Sequence, residues 1–320
     1  MEKPGSLKLS YKIPLDVLVT ILLVLPAAIL NLSAKPYQRG FYCDDHSIRY
    51  PYKPDTISTT VLILVGGLIP IITIIICERI LFIQYQSHEG TRITKYQYEA
   101  QRLSPNFQVN GYFVALYKYI GGFIVGGCIN QTLTDCSKFI IGRLRPHFLS
   151  VCAIDYMQYC PQGFGTFMYI ENATCVGDGS VGESKILDAR LSFPSGHASF
   201  AFYAFMFLFV YLQLKMDWYY MLRTLLQTCC FAFALLTALS RVSDYKHHTG
   251  DVIGGGLLGT AVALFTTLYI CRLVEVYKRM CVIENHGILL TLAPVPQKDN
   301  YGSVEATQSL SQTTTVCIEE

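Results

Sequence analysis

Long stretches without a charged side chain constrain this chain more than any other feature. Residues 17–34, 56–77, 224–240 and 252–271 contain no Asp, Glu, Lys or Arg. Residues 191–214 lack them too, with one histidine near the start, and 111–134 is interrupted only by Lys118. Each run approaches the ~20 residues that an α-helix needs to cross a hydrocarbon core. Charged residues make up 15% of the chain, against about 25% in soluble domains. The expected fold is therefore all-α, a polytopic membrane protein of six transmembrane helices. Residues 1–12 form a cytosolic amino terminus, 13–276 the six-span domain, and 277–320 a cytosolic, disordered tail rich in Ser, Thr and Gln.

Six spans put both termini on one side. Lys3, Lys8 and Lys12 precede the first span, and Arg272, Lys278 and Arg279 follow the sixth. The positive-inside rule assigns both ends to the cytosol. Arg79, Arg92, Lys95 and Arg102 after the second span agree, although the outer loops carry basic residues as well. Asn172-Ala173-Thr174, between the third and fourth spans, is an N-glycosylation acceptor, usable only on a lumenal or extracellular face. That side also holds Cys43, Cys152, Cys160 and Cys175. Four cysteines in an oxidising compartment allow two disulfides, and a short closure within 152–175 is favoured. A net charge of +2 and the lack of a glycine-rich nucleotide loop point away from nucleic acid and nucleotide binding.

Three short segments fall at the ends of these runs: Lys138-x6-Arg145-Pro146, Pro194-Ser195-Gly196-His197, and Ser240-Arg241-x5-His247-x3-Asp251. The six-span layout brings all three to the same membrane face. Together they supply three cations, two histidines and a carboxylate, the parts needed to bind a phosphate, attack it and protonate its leaving group. If the third helix continues, Lys138 and Arg145 lie two turns apart on one face, and Pro146 ends the helix at Arg145. A headgroup-anchoring role is the alternative for Lys138. Ser195 suits a helix cap and Gly196 a close backbone approach, leaving free N–H groups and the positive helix end toward an anion. His247 and Asp251 share a helical face, so Asp251 is expected to accept a hydrogen bond from the imidazole, as in a serine-protease triad. Spacing leaves His248 within reach of Asp251 too. No cysteine pair has zinc-ligand spacing, and no carboxylate cluster beside the motifs suits magnesium.

At these residues the chain resembles the type 2 phosphatidic acid phosphatase superfamily. The flanking runs from Gly142 to Leu149 and from Ser240 to His248 look like the animal lipid phosphate phosphatases, and the resemblance covers roughly residues 10–275. It implies a histidine nucleophile at His247, oriented by Asp251, and a general acid at His197. It also implies phosphate binding by Lys138, Arg145, Ser195, Gly196 and Arg241. No motif position departs from the pattern, which argues against the degenerate, inactive homologues. The implied substrates are phosphatidate, lysophosphatidate, sphingosine 1-phosphate and ceramide 1-phosphate, hydrolysed through a phosphohistidine with no metal or other cofactor. The implied partners are the bilayer, the lipid substrates and a second copy of the chain in a homo-oligomer. The plasma membrane is the expected location, with internal membranes as the alternative. A phosphotransferase, a lipid-binding protein and a transporter compete with this reading, in that order.

Overall fold

The computed structural model describes residues 9–87, 111–154, 156–161, 167–171, 173–176, 182–216 and 219–274. Asn172, the basic residues of loop 88–110 and the tail 277–320 lie outside them, so the expectations placed there are untouched. Among the described residues, six helices are long and apolar enough to cross a membrane: α1 (Leu9–Ser33), α2 (Thr59–Ser87), α3 (Gly111–Ile141), α7 (Gly196–Lys215), α8 (Tyr220–Ser243) and α9 (Thr249–Phe265). α9 runs on into a π-helical turn, Thr266–Ile270. Three short helices, α4 (Phe148–Cys152), α5 (Tyr156–Tyr159) and α6 (Glu183–Asp188), lie between α3 and α7. The only sheet among the described residues pairs β1 (Phe41–Tyr42) with β2 (Tyr169–Ile170), antiparallel.

The apolar runs became helices because a bilayer leaves each backbone N–H and C=O only an internal partner. Their outward faces stay apolar, with Ile21, Leu64, Leu236 and Leu257 all exposed, as lipid contact requires. α3 runs 31 residues, past the end of the expected 111–134 stretch. The extra turns carry Asp135 and Lys138. Deeper in the bundle, Glu78 of α2 and Lys215 of α7 pair at 2.7 Å, both buried, and the Tyr211 hydroxyl donates to the same Glu78 oxygen at 2.9 Å. Buried charges of this kind persist only when matched and hydrogen-bonded.

Glycine decides how close the helices come. A side chain at Gly255 or Gly259 of α9 would run into the carbonyl oxygens of Ser195, just before α7, and Ser199 in α7. Four-residue glycine spacing is the small-residue contact that lets membrane helices meet backbone to backbone. It sets the start of α9 against the start of α7. Beyond the helix ends, Phe41, Ile48, Leu144, Phe148, Val151 and Ala189 form a small apolar core beneath the loops. Two disulfides close it. Cys152–Cys175 falls within the loop, as expected, and Cys43–Cys160 ties the loop after α1 to the loop before α7. Gly259→Leu should therefore overpack the α7–α9 contact and cost about 2 kcal/mol or more. Gly67→Leu, where a side chain would meet nothing within 4 Å, should leave the melting temperature of the detergent-solubilised protein unchanged.

Candidate active site

Three segments converge at one end of the bundle, and each is placed by a local backbone device. α3 stops at Ile141, not at Arg145. Gly142 has φ +56°, its N–H bonds to the Lys138 carbonyl at 3.0 Å, and a side chain there would strike the Tyr37 carbonyl. This is a left-handed glycine stop. Lys138 therefore belongs to the last helical turn and Arg145 to an irregular segment anchored by its N–H on the Ala189 carbonyl at 2.9 Å. The expected two-turn helical spacing between them is wrong, and Gly142 rather than Pro146 was the signal.

Ser195 caps α7 as expected, accepting from the Ala198 N–H at 3.4 Å, and is fully buried. Gly196 has its own reason. A Cβ there would sit 3.1 Å from Lys138 Nζ, so glycine admits the ammonium to the head of the helix. His197 occupies the first turn, and its Nε2 is buried without a hydrogen-bond partner.

The third segment turns sharply before its histidine. Tyr245 sits at φ +55°, a left-handed conformation that non-glycine residues seldom adopt. Its carbonyl accepts from His147 Nδ1 at 2.8 Å, and its ring stacks on Tyr50 at 4.5 Å. The Lys246 and His247 N–H groups then both bond to the Arg241 carbonyl, at 3.0 and 3.2 Å. Arg241 itself is buried, with Nη1 on Asp55 at 2.8 Å and Nη2 on Asp244 at 2.9 Å. Asp244 also takes the Thr56 N–H and hydroxyl at 2.8 and 2.7 Å, which fastens the loop before α2 to this segment.

The expected hydrogen bond from His247 to Asp251 does not form. His247 Nδ1 lies 2.8 Å from the Ser192 carbonyl. A carbonyl only accepts, so Nδ1 carries the proton, and neutral His247 keeps a lone pair at Nε2. Asp251 acts at one remove. Its carboxylate takes the Ser192 hydroxyl at 2.6 Å, Arg143 Nη1 at 2.7 Å and the His248 N–H at 3.0 Å, and lies 3.1 Å from His248 Nδ1. The neighbouring histidine thus takes the direct contact with the carboxylate, while His247 faces the cavity. Ser192 had no sequence signal, and Arg143, although inside the Gly142–Leu149 run, carried no assigned role there.

A cavity of about 690 Å³ opens between these segments. Lys138, Arg145, Gly196, His197, Arg241 and His247 line it, while Ser195 and Asp251 support it from behind. Lys246, Asp55 and Asp188 also line it and were missed by sequence reasoning. Burial, reinforced by the Arg145 and Lys138 charges, holds the His247 imidazole well below its ordinary pKa, so it is neutral at physiological pH. Burial is also the main cause that lowers His147 to about 4.

Residues 115–274 match the family model described as the PAP2 superfamily. The chain belongs to that superfamily. Mouse "Phospholipid phosphatase 1" is 41% identical to this PAP2 protein over 261 residues, 81% of the chain and 84% of the relative. Human "Phospholipid phosphatase 2" is 40% identical over 258 residues, 80% of the chain and 81% of the relative. A Drosophila melanogaster "Putative phosphatidate phosphatase" is 37% identical over 268 residues, 82% of the chain and 69% of the relative. No solved structure matches the PAP2 protein significantly.

The histidines of this PAP2 protein make its stability depend on pH. A histidine whose folded pKa lies below its unfolded value of about 6.5 leaves the unfolded state binding the extra proton. That contribution is complete above pH ~6.5 and is lost as pH falls toward about 4. Melting temperature should fall across this window. His147→Asn, which keeps a donor for the Tyr245 carbonyl, should flatten the slope by about one proton.

Proposed function

We propose that the protein is an integral membrane phosphatase that hydrolyses lipid phosphate monoesters and releases inorganic phosphate on the extracellular or lumenal side. The observation that carries this reading is the make-up of one cavity. At its head stand Lys138, Arg145, Arg241, Lys246 and both histidines, while Val24, Leu62, Ile63, Phe123, Ile124 and Phe200 line the rest with apolar surface. Fifteen residues of α3 separate Lys138 from Phe123, a drop of ~22 Å. A water-soluble phosphate needs the head alone. A lipid phosphate needs both parts, with its acyl chain along the apolar walls.

His247 Nε2 attacks phosphorus in line, opposite the ester oxygen. The N–P bond forms as the P–O bond to the lipid breaks. Lys138, Arg145 and Arg241 stabilise the equatorial oxygens, assisted by the Gly196 N–H at the head of α7. Ser195 caps that helix and directs its positive end to the site. His197 gives the departing alkoxide a proton, then takes one from the water that cleaves the phosphohistidine. Asp251 is a positioning residue, holding Ser192 and through it the His247 tautomer. Fixed side-chain cations supply the charge that metal ions supply elsewhere, so the proposed reaction is metal-independent.

Both disulfides lie at the same end as the site. Disulfides persist in oxidising compartments, which supports an outward-facing site, termini in the cytosol and a plasma-membrane location. Phosphatidate, lysophosphatidate, sphingosine 1-phosphate and ceramide 1-phosphate all fit the cavity's chemistry. The names of the relatives are consistent with the same class of substrate.

Purified protein should release inorganic phosphate from dioctanoyl phosphatidate in EDTA, and His247→Ala should lower turnover by about 10³-fold or more. Near-normal turnover in that variant would remove the nucleophile assignment, and a magnesium requirement would remove metal independence. A phosphodiester product in place of free phosphate would favour the transferase. The acyl-chain placement has its own test. A Cβ at Gly127 would meet nothing closer than Tyr203 Cε1 at 3.6 Å, so a larger side chain can grow into the cavity. Gly127→Leu should cut kcat/KM for dioleoyl phosphatidate about tenfold relative to dibutyryl phosphatidate. Equal losses on both would place the acyl chains outside the cavity.

A further inference from the structure

Carboxylates already hold two of the cations proposed to bind phosphate. Asp188 Oδ1 lies 2.5 Å from Arg145 Nη2, and Asp55 Oδ1 lies 2.8 Å from Arg241 Nη1 and 3.8 Å from Lys246 Nζ. Both acids line the same cavity as the two histidines. Each covers only part of its guanidinium from the cavity. Arg145 Nε and His197 Nε2 remain buried with no partner, which marks positions where ligand oxygens are still wanted.

The acidic residues around the site fall into two kinds. Asp244 and Asp251 are buried and held by three or more hydrogen bonds each. They are structural and cannot leave. The side chains of Asp55 and Asp188 are 40% and 57% exposed, so either can swing into water at little cost. Asp55 follows an irregular stretch but precedes Thr56, which Asp244 clamps. Its backbone is thus fixed beside Arg241 while its carboxylate stays free to rotate. Asp188 ends α6, over the Arg145 segment.

Charge gives the arrangement a purpose. The cavity is lined by four cations (Lys138, Arg145, Arg241 and Lys246) and by two carboxylates. Among these lining groups the cations outnumber the carboxylates, while Asp244 holds Arg241 from behind and Asp135 lies 3.9 Å from Lys138. Without Asp55 and Asp188, Arg145, Arg241 and Lys246 would lose their cavity-side carboxylates and hold the product more tightly. We propose that Asp55 and Asp188 are exchangeable internal counter-anions, which sit on the phosphate-binding guanidiniums between turnovers, yield to substrate and return to expel inorganic phosphate. The proposal rests on the phosphatase reading above. It assigns the two acids to product release and leaves bond-making to the histidines.

The test compares full-length wild type with Asp55→Asn, Asp188→Asn and the double variant, all purified in detergent. Phosphate affinity is measured by calorimetry with inorganic phosphate, and again as inhibition of dioctanoyl phosphatidate turnover. Each single variant should bind phosphate about tenfold more tightly, and the double variant more tightly still. KM and kcat should fall together as release slows. A merely structural role would lower the melting temperature and turnover without tightening phosphate. Unchanged or weaker phosphate affinity in folded variants would overturn the proposal, as would failure of both single variants to fold. Absence of turnover in the wild type would instead sink the phosphatase reading, because calorimetry reports phosphate binding without catalysis.

Discussion

The site depends on one buried carboxylate. Asp251 is fully enclosed in the first turn of α9, and every motif segment reaches it. Arg143, from the segment after α3, donates to one oxygen, while Ser192, from the segment before α7, and His248 donate to the other. Its own backbone carbonyl accepts the Ser195 N–H at 2.9 Å. An ionised carboxylate at a membrane helix end is tolerated only with such partners. Once they are in place, the Ser192 carbonyl is aimed at His247 Nδ1, and the cap of α7 is locked to the start of α9. The hub does no chemistry in the proposed mechanism. It fixes the separation and tautomer of the groups that do.

The hub works only because the helices beneath it touch. Gly255 and Gly259 bring α9 onto the α7 backbone, and Gly196 lets Lys138 approach the head of α7. These contacts are short because no side chain intervenes, so a small loss of glycine would be felt several ångströms away at the histidines. The disulfide-tied cap over Phe148 and Val151 holds the irregular segment that carries Arg145. Rigid helices thus position Lys138, His197 and Arg241, and a cross-linked loop positions Arg145.

Clustered cations make this end of the bundle costly unless it is neutralised. Asp244 neutralises Arg241 permanently and also recruits the loop before α2 through Thr56. Burial keeps His247 unprotonated, and repulsion by the Arg145 and Lys138 cations adds to it. A neutral imidazole beside several cations is a poor proton acceptor but remains a nucleophile toward an anion those cations have drawn in. Stability and proposed reactivity therefore come from the same charge distribution.

The sequence by itself determined the six spans, because backbone hydrogen bonding in a bilayer leaves a long apolar segment few options other than a helix. It determined which side chains meet at one end, since motif positions at span termini follow from topology. It also marked the cap at Ser195, a local hydrogen bond between residues three apart. Tertiary structure alone decided the partner of His247, because a spacing of four residues gives a shared face only inside a helix, and His247 precedes α9. It decided the path of Arg145 after the Gly142 stop, where its N–H is anchored on the Ala189 carbonyl. Asp55, Asp188 and Ser192 entered the site through loops whose paths are set by disulfides and long-range hydrogen bonds. Such contacts join residues scores of positions apart, and no local pattern in the chain encodes them.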